Sequence, residues 1–491
     1  MIFFLAEAYK MTNEIKELLK LFFPWEEIHY IENMGEYRDN GYLLHSILLD
    51  NEGGLYARAL LYEDGHRVNE SKENILNLNT YRYSIEKDIK IAIKKSIFNC
   101  LIETSEQKLP WGILTGIRPL KIIHELMDKN IENEEIIHIL TGEYRLDMEK
   151  AKLALDISQR QRKYIYPLDK DRYSLYISIP FCPTRCFYCS FPALPLKGHQ
   201  TYIGSYIDRL IFEIRSISGM MKGKKINTVY IGGGTPTAIP VRDLERVIKE
   251  VYESFGKDSI REFTVEAGRP DTITEEYLKM LDDNEIRRIS INPQTMKDNT
   301  LKTIGRNHKA EDIIRVYWQA RGYGFKVINM DLIVGLPGEG IDDLRHSLKE
   351  LRKLDPENIT IHTLSIKRGS KFFNSIDRQS IENQKLVEDM LKESSRYAEE
   401  MKLKPYYLYR QKQILGNFEN IGYAKASSEC IYNIVMMEEK ETILGAGMGA
   451  VSKVFYPGEN RLERIPNFKD LREYLGRVEE LVAKKEELLK D

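Results

Sequence analysis

The chain has 491 residues, 42% hydrophobic and 30% charged, and its 73 Lys+Arg against 75 Asp+Glu leave a formal charge of −2. That composition excludes a disordered or fibrous chain, and at roughly 150 residues per domain the length suggests about three domains. The balanced charge points to neither nucleic acid nor an anionic membrane surface. No run approaches the ~18 apolar residues of a membrane span, and the opening MIFFLAEAYK lacks the basic start and cleavage-like end of a secretory signal. A cytoplasmic protein is expected.

In chain order, YLLHSILLD and LYARALLY, joined by Asn51-Glu52-Gly53-Gly54, predict a β-hairpin. The periodicity of 85–102 predicts a helix and makes Cys100 within it an inert core thiol. The breaker-rich 109–119 reads as an ordered loop into a helix from Leu120. Helical pattern persists to about Tyr164, and 167–172 reads as a linker. From Tyr173 short β-rich runs alternate with amphipathic helices. The predicted strands are 174–179, 226–231, 262–266, 288–292, 327–334 and 359–363, with helices such as 202–218, 241–255 and 342–354 in the gaps. Six β–α units predict a parallel sheet with helices outside, too few strands for a closed eight-stranded barrel. The expected class is α/β: an N-terminal α+β domain (1–166), a partial (β/α)6 barrel (167–370) and a mixed C-terminal extension (371–491) covering the substrate side. In that extension 381–401 reads as a helix, YYLYR as a strand, LGAGMGA as a glycine-rich loop, and 470–491 as a charged helix with a solvated face.

Five cysteines occur, and Cys182, Cys186 and Cys189 fall in one short segment, YISIPFCPTRCFYC, directly after the first barrel strand. In a large chain expected to be cytoplasmic this reads as metal or redox chemistry, not as a disulfide framework. Spacings of four and three let one loop place three thiolates on an iron–sulfur cube. Three ligands on four irons leave one iron open, which in radical S-adenosylmethionine (SAM) chemistry chelates SAM. A structural zinc site needs four ligands, and Cys430 could supply the fourth only by a long return of the chain.

Active sites of parallel β/α barrels lie at the C-terminal strand ends, which selects further residues. Gly232-Gly233-Gly234-Thr235-Pro236-Thr237 ends strand two and can present main-chain groups to the SAM amino group. Glu266 ends strand three, where it can accept from ribose hydroxyls or pair with a cation. Gln294 follows strand four and Arg306 sits in IGRNH. Asp331 lies inside an otherwise apolar strand, where an unpaired charge is costly, and Arg306 is a candidate partner for it or for a carboxylate.

These segments make the chain resemble the oxygen-independent coproporphyrinogen III oxidase-like radical SAM family over about residues 170 to 455. They include LYISIPFCPTRCFYCSF, GGGTPT, VEAGRPD, NPQTM, IGRNH, MDLIVGLPGE and ILGAGMGAVS. LPWGILTGIRP and YYLYRQKQILGNFENIGYA look most like the coproporphyrinogen dehydrogenase subgroup. The resemblance implies a [4Fe–4S] cluster on the three cysteines, one or two SAM molecules, and conversion of coproporphyrinogen III to protoporphyrinogen IX in haem biosynthesis. It implies that Tyr176 and Glu266 stand at the reacting centre, Tyr176 beside the cluster-bound SAM. Gly233, Gly234 and Thr235 would line the SAM sites, and Glu266, Gln294, Arg306 and Asp331 would contact SAM. Tyr188 would stand near a second SAM. The implied partners are a porphyrinogen or other tetrapyrrole and an electron donor such as flavodoxin or ferredoxin.

Two positions depart from the family's best-known oxidases: Phe191 replaces a fourth cysteine and Ser178 a histidine. The alternatives are therefore a haem chaperone-like haem-binding protein and a radical SAM enzyme acting on another tetrapyrrole. Arg118, Arg368 and Arg410 are candidate partners for the substrate carboxylates, which suit arginine's fork.

Overall fold

The computed structural model describes all residues except 8–10, 25, 39, 52–53, 76–83, 106, 117, 368, 373–383, 412–413 and 491. They form two compact units, Met1–Asp156 and Ile157–Asp491. No helix among them is long and apolar enough to cross a membrane.

The first unit holds strands β1 (Ile2–Glu7), β2 (Ile28–Tyr30), β3 (Tyr42–Asn51), β4 (Gly54–Glu63) and β5 (His66–Asn74) in the order β2-β1-β3-β4-β5. The expected hairpin is β3–β4, its register running from Tyr42↔Glu63 to Asn51↔Gly54. Strand β5, HRVNESKEN, is polar apart from Val68 and carries no apolar alternation to read. It is held to β4 by the ladder and by Arg58–Glu70 at 2.8 Å, and its charges blunt the edge. The helix Ile85–Ile102 buries Ile93, Ile97 and Leu101. Cys100 is fully buried there, and burial pushes its thiol up to about 12.

In the second unit follow β6 (Arg172–Ile179), β7 (Phe181–Cys182), β8 (Leu194–Pro195), β9 (Lys225–Gly233), β10 (Glu262–Gly268), β11 (Arg288–Ile291), β12 (Val327–Val334), β13 (Asn358–Thr363), β14 (Lys404–Tyr409), β15 (Asn420–Ala424), β16 (Thr442–Ala446), β17 (Val451–Tyr456) and β18 (Arg461–Pro466). The main sheet runs β14-β15-β13-β12-β11-β10-β9-β6-β16-β17-β18. All six expected strands are present and parallel, with helices such as Val241–Phe255 and Ile341–Leu354 between them. A seventh parallel strand was not expected. The segment read as a glycine-rich loop supplies β16, which pairs with β6 on its outer side.

Register decides what each face of this sheet carries. In-register partners share a face, so Tyr176↔Tyr230, Tyr230↔Thr264, Thr264↔Arg288, Ser290↔Asn329 and Asp331↔Thr360 define one face. Stepping by two adds Ser174, Ser178, Glu262, Glu266 and His362. That face carries polar side chains in each of β6, β9, β10, β11, β12 and β13. The opposite face is apolar: Leu175 and Ile177, Val229 and Ile231, Val265, Ile289, Ile328 and Met330, Ile359 and Ile361, all buried.

The helix Ile431–Glu438 closes the N-terminal end of the polar face. Glu262, the first residue of β10, accepts from its Ile431 and Tyr432 N–H groups at 2.9 and 3.0 Å. Arg288 donates to the Ser428 and Glu429 carbonyls, 3.0 Å each.

The C-terminal helix Leu471–Lys490 corrects the expectation of a purely solvated charged helix. Lys485 is fully buried, paired with the equally buried Glu213 and donating to the Gly445 carbonyl at 2.7 Å. The same Glu213 accepts from the Gly447 N–H, the Asn467 amide and the Tyr474 hydroxyl at 2.7, 2.8 and 2.7 Å.

Candidate cluster and cofactor site

At the C-terminal end of β6 the chain enters a loop closed by the short parallel pair β7–β8. Leu194 N–H donates to the Pro180 carbonyl at 2.7 Å and Leu196 N–H to the Cys182 carbonyl at 2.8 Å. All three cysteines lie in this clip, Cys182 and Cys186 buried and Cys189 half-buried. Neighbouring elements hold the loop from outside. Phe187 N–H donates to the Ile304 carbonyl at 3.0 Å, and Arg185 donates to the Gly369 carbonyl at 2.8 Å.

The glycine turn after β9 packs directly on this loop. Gly234 N–H donates to the Ile179 carbonyl at 2.7 Å and Thr235 N–H to the Phe181 carbonyl at 2.8 Å. Gly233 has φ +105°, and a Cβ there would stand 2.7 Å from Ser178 Oγ. A Cβ on Gly234 would stand 2.7 Å from the Phe181 carbonyl. Glycine is required by this close approach alone.

Each sulfur has polar company. Thr235 Oγ1 stands 3.6 Å from Cys182 Sγ, and the Arg269 guanidinium 3.9 Å from Cys186 Sγ. Arg306 also reaches Cys186, and the Phe191 N–H donates to Cys189. Burial pushes the Cys182 thiol up to about 11, so thiolate there calls for a bound cation. Three soft donors in one loop with hydrogen bonds aimed at sulfur suit an iron–sulfur cluster.

Cys430 is not part of this set. It lies 3.4 Å from Glu262 Oε1, at the start of β10, whereas Arg269, just past the end of β10, touches Cys186. Six strand residues at ~3.3 Å each put those ends about 20 Å apart, so Cys430 does not complete a four-thiol zinc site. Among the described residues no group of three His, Cys, Asp or Glu side chains is arranged for a single metal ion.

Along the polar face several buried atoms lack protein partners: Thr264 Oγ1, Ser290 Oγ and Asn358 Nδ2 on the strands, and Asn292 Oδ1, Gln294 Oε1 and Arg306 Nε beyond the C-terminal end of β11. Buried polar atoms are rarely left unpaired unless a ligand or water serves them. Gln294 also has φ +69°, an unfavourable backbone for a non-glycine residue of the kind that clusters at ligand sites. Its main chain is locked to β12, with Gln294 N–H donating to the Asp331 carbonyl at 2.8 Å. Glu266 accepts from the Gly233 N–H, yet burial and the nearby Asp331 push its carboxyl up to about 8.

Arg306 does not pair with Asp331, the first of its two candidate partners. It donates to the Asn292 carbonyl at 2.6 Å and the Tyr188 hydroxyl at 3.2 Å. Asp331 instead accepts from Asn329 at 2.7 Å and faces His362 Nε2 at 3.6 Å. Burial opposes its charge, and these neighbours hold its carboxyl below the usual value. His362 Nδ1 in turn lies 3.0 Å from the Tyr409 hydroxyl. Tyr176 stacks on Tyr230 and Tyr432, with centroids 6.3 and 6.0 Å away.

Ser178 Oγ donates to the Met448 carbonyl at 2.9 Å, and Phe191 is 61% exposed. Of the candidate substrate arginines, Arg410 is buried and donates to the Asn417 carbonyl at 2.8 Å. Arg118 belongs to the first unit, and Arg368 lies outside the described residues. Sequence reading missed Arg269, His362 and Tyr409. Arg269 could have been found by the strand-end rule that selected Glu266, and His362 by the argument applied to Asp331, a polar residue inside an apolar strand.

Residues 176–351 match the Radical SAM superfamily. The chain is 43% identical over 404 residues, 81% of its length and 81% of the relative's, to the oxygen-independent coproporphyrinogen-III oxidase-like protein HemZ of Bacillus subtilis (strain 168). It is 29% identical over 279 residues, 56% of this chain and 70% of the relative, to the heme chaperone HemW of the same organism. Coproporphyrinogen III oxidase (HemN) from Escherichia coli shares its fold, with a TM-score of 0.52 at 21% identity, covering 65% of this chain and 72% of that chain.

Proposed function

The chain belongs to the oxygen-independent coproporphyrinogen-III oxidase-like family of radical SAM proteins, and from that premise we propose that it oxidatively decarboxylates the propionates of coproporphyrinogen III to give protoporphyrinogen IX. The observation that carries this reading is the row of partnerless buried polar atoms beside the three-cysteine loop, in a chain 43% identical over 81% of its length to an oxidase-like relative. When bound, the [4Fe–4S] cluster and SAM supply one-electron reduction and abstraction of a hydrogen atom; the protein's part is binding, orientation and exclusion of water.

In this reading Cys182, Cys186 and Cys189 hold three irons. Gly233, Gly234 and Thr235 offer main-chain groups to the SAM amino acid moiety, and Glu266 accepts from its ribose. Gln294 and Asp331 contact the same molecule. Arg306 holds Tyr188 toward a second SAM, and Tyr176 stands beside the first with its ring fixed by the Tyr230–Tyr432 stack. Residues 371–491 cover the substrate side in part, through Tyr409. The reducing cytoplasm suits free thiols, and flavodoxin or ferredoxin is the electron donor.

A second reading, haem binding without decarboxylation, is favoured by the relatives named heme chaperones. Anaerobic incubation of reconstituted protein with SAM, a low-potential reductant and coproporphyrinogen III, followed by mass spectrometry, separates the two. Two successive losses of CO2, abolished by Cys186→Ala, support the decarboxylase. An unchanged porphyrinogen mass with stable one-to-one haem binding overturns it in favour of the second reading, and SAM cleavage without mass loss points to another substrate.

A further inference from the structure

The strands of a parallel sheet end together, so the chain leaving β10 meets the loop leaving β6. The residue at that meeting point is Arg269. We propose that Arg269 positions the cysteine loop and tunes the reduction potential of its cluster, with Asp271 as the counter-charge that sets the size of the effect. The inference rests on the family assignment and is independent of the substrate.

Every arm of the guanidinium is engaged. Nη1 donates to the Thr184 carbonyl at 3.1 Å and to Thr184 Oγ1 at 2.9 Å, and stands 3.9 Å from Cys186 Sγ. Nε and Nη2 form a fork on Asp271, at 3.0 and 2.6 Å. The Arg269 side chain is only 4% exposed. Behind the pair, His308 Nδ1 lies 3.6 Å from Asp271 Oδ1, its ring fully buried. A planar fork is needed to satisfy the carboxylate on one side and the loop on the other, which lysine's point charge cannot do.

The geometry is that of an oriented dipole, with its positive end on a ligand sulfur and its negative end on Asp271, two residues along the chain. Hydrogen bonds to sulfur and local charge are what set cluster potentials. Reduction adds an electron to the cluster, so a fixed cation at Cys186 stabilises the reduced form, and the Asp271 carboxylate weakens that stabilisation. Removing the cation lowers the potential and neutralising the carboxylate raises it.

EPR-monitored redox titration of the reconstituted full chain tests this, with iron content as the control for cluster loading. Arg269→Gln is expected to lower, and Asp271→Asn to raise, the reduced-to-oxidised ratio at fixed potential by about tenfold each, about 59 mV for a one-electron couple. Shifts in the same direction, or no shift in either variant, overturn the proposal, since a purely structural clamp loosens the loop both ways. If Arg269→Gln fails to assemble a cluster, Arg269→Lys replaces it. That variant gives up the fork on Asp271 but keeps a positive charge at Cys186, and should titrate within threefold of wild type; a tenfold fall there overturns the proposal equally.

Discussion

The two ends of the polar face use the same residue types to opposite effect. At the N-terminal end of the strands the buried charges are met by protein. Glu262 accepts from two helix N–H groups and faces Arg288 at 3.5 Å. Glu441 accepts from Arg172, Ser174 and Asn227 at 2.7, 2.5 and 2.8 Å. At the C-terminal end Asn292, Gln294 and Arg306 keep buried atoms without a protein partner, and the carboxyl of Glu266 is pushed up to about 8. Folding meets the charges of one end, while at the other polar atoms are left unmet by the chain. A polar group satisfied by its own chain speaks for architecture, and a buried one left over speaks for binding.

The largest expected effects test the completed end. Glu262→Ala leaves Arg288 without its carboxylate and two helix N–H groups without acceptors, which should cost about 3–5 kcal/mol. Urea denaturation should register this loss, while the iron content of the folded fraction stays that of wild type. Cluster loss in step with the stability loss would mean that the two ends are not separable. Lys485→Met tests the other buried pair. It leaves Glu213 with neutral donors only and should cost a similar ~3–5 kcal/mol. A cost under about 1 kcal/mol would show that the Gly447, Asn467 and Tyr474 donors suffice alone.

The same contrast explains what could be read in advance. The three cysteines and the six strands were legible because both signals are local: a spacing within one loop, and β-rich runs separated by helical ones. Asp331 was legible as a charge in an apolar strand. Its partner was not, because His362 reaches it through the β12–β13 register, Ile333↔His362, a pairing no single strand encodes. Strand β16 was hidden by its glycine. A Cβ on Gly445 would stand 3.0 Å from the Val451 backbone, so residues read as a loop are small because a neighbouring strand passes close. Lys485 was hidden in a charged helix, where one cation turned inward looks like those turned out. The polar face as a whole appears only when parity is compared across neighbouring strands.

Glu266 gives a test by pH. Its carboxyl sits at about 8 in the fold against 4.5 as the reference, so between those values the folded protein holds a proton that the unfolded chain has lost. Stability therefore falls as pH rises through this window. From pH 6 to pH 8 the loss without SAM should be roughly 2 kcal/mol, and Glu266→Gln should remove it. Thermal melts of both proteins at the two pH values measure the difference. Parallel pH dependence in the two would mean that the carboxylate is already served by protein groups, as at the other end of the sheet.

Gln294→Ala is the smallest and most discriminating change. Its Oε1 has no partner in the protein, so truncation removes no internal hydrogen bond and should shift stability by less than about 1 kcal/mol. If that oxygen serves SAM, losing the contact should weaken SAM binding about tenfold, or about 1.4 kcal/mol, measured calorimetrically on the reconstituted protein. The replacement also keeps a non-glycine residue at φ +69°, so Gln294→Gly is the paired control. Glycine relieves the strain but restores no contact, and should bind SAM as weakly as alanine does. Recovery of affinity in the glycine variant would assign the defect to the backbone, and the orphaned oxygen would then be a feature of the turn and not of the ligand site.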